Sequence, residues 1–99
     1  MTDESQVVVP PSFVALFIPP RQTRPTESRG TIAARYELCE DLALSLLEHP
    51  LLRVEDEADR GHAVVRILEA LVADDAVVSR REAEWVVARL EELLRHGAP

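Results

Sequence analysis

The stretch from Thr26 to His49 constrains this chain more than any other. Placed at about 100° per residue, Ile32, Tyr36, Cys39, Ala43, Leu46 and Leu47 fall on one face, and Glu37, Asp41, Ser45 and Glu48 on the other. That pattern is an amphipathic helix of about six turns, and its wide apolar stripe must be buried against something. Two shorter helical patterns follow and supply the cover. The expected fold is therefore all-α: a three-helix bundle over residues 26–99, preceded by an apolar N-terminal arm and Pro-rich linker over residues 1–25 that can hold a short fourth helix.

The local signals place each element. Thr26 is the expected N-cap of the first helix, with Glu27 in the first turn; Gly30 weakens that turn, so the start can slip to Thr31. His49-Pro50 ends it, because a residue before proline avoids the helical region. Leu51 to Glu55 reads as a loop whose three apolar side chains tuck under the bundle. Asp56 can cap the second helix, whose stripe is Val64, Leu68, Leu71 and Val72, with Val65 and Ile67 at its edges. Asp74-Asp75 would sit at the unfavourable end of the helix dipole, so this helix should stop near Ala73. Ser79-Arg80-Arg81-Glu82 is a capping box. The third helix then runs to about Arg95, followed by His96 and Gly97 as a left-handed stop, and buries Ala83, Val86, Val87, Leu90, Leu93 and Leu94.

The N-terminal segment has its own logic. Met1 to Gln6 is polar and expected to fray. Val7-Val8-Val9 and Phe13 to Ile18 are apolar runs split by Pro10-Pro11. Asp3 and Glu4 stand where a signal peptide carries basic residues, and the apolar run is too short to span a membrane. Pro11 suits a first helical turn, after which Phe13, Leu16 and Phe17 share a face until Pro19-Pro20 stops the helix; an extended arm is the alternative. Residues 19–25 read as a stiff polyproline linker rather than a ligand for an SH3-like groove.

Charge and chemistry narrow the function. The net charge is −7, and residues 31–78 carry all of it. That acidity repels nucleic acid and anionic membrane, which need clustered Lys or Arg. A helix-turn-helix DNA reader is the less favoured alternative on the same ground, since Glu82, Glu84, Glu91 and Glu92 cancel Arg80, Arg81 and Arg89. The chain has three glycines and no lysine, so a phosphate-binding P-loop is absent. Arginine as the only long-chain cation, with abundant Ala, Val and Leu, fits the codon usage of a GC-rich bacterial genome. No Cys/His pair has zinc spacing, and Glu55-Asp56-Glu57-Asp59 lacks the order of a calcium loop; no metal and no cofactor is expected. His49 and His96 lie at helix C-termini, where a protonated imidazole is favoured, and His62 projects away from the stripe; none reads as a catalyst. Cys39, in mid-stripe between Tyr36 and Ala43 and followed by Glu40 and Asp41, reads as a buried small hydrophobe in a cytoplasmic protein. No catalytic residue is assigned.

One residue breaks the pattern. Trp85 sits on the charged side of the third helix among Arg81, Arg89 and Glu92. Either the arm folds back and covers it with Phe13 or Phe17, Arg81 or Arg89 lying over the indole, or it is an anchor for a partner, since Trp and Arg dominate interface hot spots. The candidate partner-binding residues are Phe13, Phe17, Arg81, Trp85 and Arg89.

Three segments also carry a resemblance: Pro-Pro-Ser-Phe-Val-Ala-Leu-Phe at 10–17, Arg-Tyr-Glu-Leu-Cys-Glu-Asp-Leu-Ala at 35–43 and Glu-Ala-Glu-Trp-Val-Val-Ala-Arg-Leu at 82–90. Together they resemble a family of proteobacterial proteins of about this length, seen in Burkholderia-type genomes and often labelled "ATPase with chaperone activity". Without a P-loop, the resemblance implies an accessory that binds an ATPase or its client. The leading expectation is a small acidic protein-interaction module, chaperone-associated or self-associating as a homodimer; the alternative is an enzyme using nucleotide or surface carboxylates.

Overall fold

A computed structural model describes residues 7–74 and 76–96. Among the described residues the structure is all-helical, without strands: α1 (Pro11–Val14), α2 (Arg29–Leu46), α3 (Glu57–Ala73) and α4 (Arg80–His96), with short 3₁₀ turns at Ala15–Phe17 and Pro50–Leu52. The expected fraying of Met1–Gln6, the left-handed stop at Gly97 and the position of Asp75 fall outside the described residues. The chain divides into two compact units, Met1–Leu38 and Cys39–Pro99, and the division lies inside α2.

In the first unit, Pro11 opens α1 at the position where a missing N–H costs nothing, and the Pro10 carbonyl accepts from the Phe13 and Val14 amides. The helix tightens into the 3₁₀ turn and ends before Pro19, so the short-helix reading of residues 11–17 holds. Phe13 is fully buried, and its ring packs 5.5 Å from Phe17 and 5.7 Å from Tyr36. Tilted and edge-on aromatic pairs of this kind add about 0.5–1.5 kcal/mol beyond their buried area.

Two expectations for this unit are corrected. Residues 19–25 are not a simple extended spacer. The Gln22 amide donates to the Pro19 carbonyl at 3.1 Å, and Arg21 takes a positive φ of 68°. That is a tight turn with Pro20 before the left-handed position, a conformation better suited to glycine than arginine. Thr26 is also not the N-cap of α2. Its amide and its hydroxyl both donate to the Phe17 carbonyl, at 2.8 and 3.2 Å, and close the loop. Ser28 caps α2 instead: the Thr31 amide donates to Ser28 Oγ at 3.1 Å, and the Ser28 hydroxyl donates to Thr31 Oγ1.

The stripe of α2 is as expected. Ile32, Cys39 and Ala43 are buried and Tyr36, Leu46 and Leu47 half-buried, while Glu37, Asp41, Ser45 and Glu48 are exposed. The helix is shorter than expected, at 18 residues. It winds down through Leu47, Glu48 and His49, whose amides reach the carbonyls three residues back. His49 then does something the sequence reading missed. Its Nδ1 accepts the Leu51 amide at 3.1 Å and caps the 3₁₀ turn.

In the second unit, the end of α2, the 3₁₀ turn, α3 and α4 enclose one core. Leu52, Ala63, Val64, Ile67, Val87 and Leu90 are buried in it, and Leu46, Leu47, Leu51, Leu68, Leu71 and Leu94 pack against it. Full burial of a side chain such as Leu90 is worth about 1.5–3 kcal/mol. Asp56 caps α3, its Oδ1 accepting the Ala58 amide at 2.9 Å, and α3 ends at Ala73 as expected. The stripe of α3 is rotated from expectation: Ile67 is 3% exposed and central, Ala63 is buried beside it, and Val65 is 51% exposed. The capping box of α4 is formed in both directions. The Glu82 amide donates to Ser79 Oγ at 3.1 Å, and the Ser79 amide donates to Glu82 Oε1 at 2.8 Å. The expected face of α4 is buried, with Leu94 half-buried at its end.

Candidate functional site

Arg81, Trp85 and Arg89 follow one another at four-residue intervals along α4, which sets them in one line on the helix surface. Arg81 is exposed, and Trp85 and Arg89 are half-buried. The guanidinium of Arg89 is held by two carboxylates. Its Nε donates to Glu40 Oε1 at 3.0 Å and to Oε2 at 3.2 Å, and its Nη2 donates to Oε2 at 3.0 Å. Nη1 donates to Glu92 Oε1, also at 3.0 Å. The fork matches the planar geometry of guanidinium and carboxylate. Its hydrogen bonds to Glu40 hold the guanidinium above its already high ordinary pKa; burial opposes them, and the bond to Glu92 adds to them. The sequence reading missed Glu40: it lies 49 positions from Arg89, and no local pattern links the two.

The other two candidates lie in the first unit. Phe13 and Phe17 are brought together, with Tyr36 as third ring; Phe13 is buried and Phe17 half-buried.

Among the described residues, two concavities stand out within the second unit. A groove of about 260 Å³ runs between α2 and α3, lined by Leu42, Leu46, His49, Ile67, Ala70, Leu71, Asp74 and Val77. A more charged hollow of about 440 Å³ lies between the start of α3 and the end of α4, lined by Glu57, Arg60, Gly61, Val64, Glu91, Leu94 and Arg95. Arg60 there donates to the Val54 carbonyl at 3.1 Å, so part of its charge is turned to holding the preceding loop. His62 and His96 are exposed on the helices that flank it.

Among the described residues, no group of three His, Cys, Asp or Glu side chains is placed to hold a metal ion. Among them too, no helix is long and apolar enough to cross a membrane. Comparison of the chain with protein-family models, curated proteins and solved structures finds no match.

Proposed function

We propose that this chain is a three-helix bundle of α2, α3 and α4 carrying residues 1–25 as an apolar arm, and that it works in the cytoplasm as a protein-interaction module. Its contact face is the line Arg81, Trp85, Arg89. One observation carries this reading: a half-buried tryptophan with arginines one turn to either side, the second of them held in place by Glu40. Trp and Arg are the residue types that concentrate binding energy, and an anchor that is already ordered loses less entropy on association. The resemblance of the three sequence segments supplies the partner class, an ATPase or its client; self-association is the other way to use the same face.

The test is capture by full-length protein and by two variants, Trp85→Ala and Arg81→Glu, each checked for an unchanged helical spectrum. The reading expects proteins retained by the wild type and released by both variants, or a dimer in sedimentation that both variants dissolve. Identical capture by all three, with the wild type monomeric, would refute it. Titration with ATP should produce neither saturable NMR shifts nor phosphate; steady phosphate release would shift the reading to an enzyme.

A further inference from the structure

We propose that the groove between α2 and α3 docks a basic amphipathic helix of a protein partner. It uses other residues than the α4 line, so the two readings stand or fall separately.

The lining sets the shape of the occupant. Leu42 and Leu46 form one wall, Ile67, Ala70 and Leu71 the other, and Val77, 47% exposed, closes one side. Its polar members are His49 and Asp74, both at helix ends, and the Nδ1 of His49 is already used by the Leu51 amide. A volume of about 260 Å³ is small beside the ~300–1,000 Å³ of small-molecule sites. It suits aliphatic side chains spaced one turn apart on a helix, the groove-binding mode of amphipathic segments.

Charge selects the sign of that helix. Residues 39–74 hold nine acids against three arginines. In the halves of α2 and α3 that form the walls, Glu40, Asp41, Glu69 and Asp74 face one cation, Arg66; Glu40 is taken by Arg89. Asp41 is exposed next to Leu42, and Asp74 lines the groove itself. Both helices also end here: Leu46 is the last residue of α2 and Asp74 is the C-cap of α3. Helix C-termini carry partial negative charge, which adds to that of Asp74. A lysine or arginine can lay its aliphatic stem along the leucines and set its head at that end. An acidic helix would meet repulsion there.

The test uses the full chain and a fluorescein-labelled amphipathic peptide of leucine and lysine, with a leucine–glutamate peptide of the same pattern beside it. The lysine peptide should give a saturable rise in anisotropy that weakens with salt, and the glutamate peptide none. Ala70→Arg and Val77→Arg, both at exposed groove positions, should weaken binding about tenfold or more, as expected for a like charge placed inside a contact. Val65→Arg adds the same charge to α3 outside the groove and should change binding less than about twofold. Trp85→Ala should leave it unchanged. No saturable binding, equal losses for Val65→Arg and Ala70→Arg, or loss with Trp85→Ala would each overturn the proposal.

Discussion

Arg89 of α4 and Glu40 of α2 are joined by a forked ion pair in which the Nε and Nη2 of the arginine share both carboxylate oxygens. The arginine is about one-third exposed and the glutamate less, so water screens the pair only in part. A flexible surface pair contributes little, whereas a bidentate, partly covered one contributes more. A double-mutant cycle with Arg89→Ala and Glu40→Ala should therefore show a coupling of about 1 kcal/mol in urea unfolding. Arg89→Lys should recover little of it, because an ammonium cannot reproduce the fork. A coupling of zero would mean that the pair orients Arg89 without stabilising the fold.

The capping box gives the second prediction. Ser79 and Glu82 satisfy each other's backbone amides, and Glu82 is only 4% exposed. Ser79→Ala should cost about 1 kcal/mol of stability, the usual loss for an N-cap. Ser79→Asp should retain most of it, since a carboxylate can accept from the same amide next to the positive end of the helix. Thermal or urea unfolding of the three proteins measures both.

These two features also show what was legible in advance. Ser79-x-x-Glu82 and Asp56 act over a few residues, so their geometry is written in the sequence. The apolar periods of α2 and α4 likewise named Cys39, Ala43, Val86 and Leu90 as core. The N-cap of α2 was harder because Thr26, Ser28 and Thr31 all have suitable hydroxyls within six positions. What separates them is the Phe17 carbonyl, which Thr26 bonds from nine residues away. On α3 the wheel offered Val65 and Ile67 as equivalent edges. Which one turned inward was decided by the side on which Leu52 and α4 pack, a tertiary fact. At the candidate site, Arg81, Trp85 and Arg89 could be read from helix spacing. Glu40 could not, and neither could the groove, because Leu42 and Ala70 lie off the main stripes and become neighbours only when α2 meets α3.

Two glycines offer a stabilising change. Gly30 and Gly61 lie within helices, and a Cβ built at either position meets no atom within 4 Å. Alanine at Gly61 should raise stability by about 0.5–1 kcal/mol, by lowering the entropy of the unfolded chain. Gly30 is the second residue of α2, where the helix is less constrained, and alanine there should gain less. Melting temperatures of the two single variants give the comparison directly. A loss at Gly61 would mean that the added methyl group is not accommodated beside the hollow.

Cys39 tests how tightly α2 is held at the first residue of the second unit. The side chain of this single cysteine is fully buried, on the axis of the apolar stripe. A disulfide reagent can reach its sulfur only when the helix opens, so the labelling rate relative to the unfolded chain reports the population of open states. The expected native rate is at least about a hundredfold below that in denaturant, because a mid-helix core position opens at a substantial fraction of a global stability of roughly 5 kcal/mol or more. The labelling free energy compared with that from urea unfolding then separates two mechanisms. Equal values mean that Cys39 is exposed only by complete unfolding. A smaller labelling value means that α2 opens locally around Cys39 while the rest of the core stays folded. Native labelling as fast as in denaturant would show that the burial of Cys39 does not persist in solution.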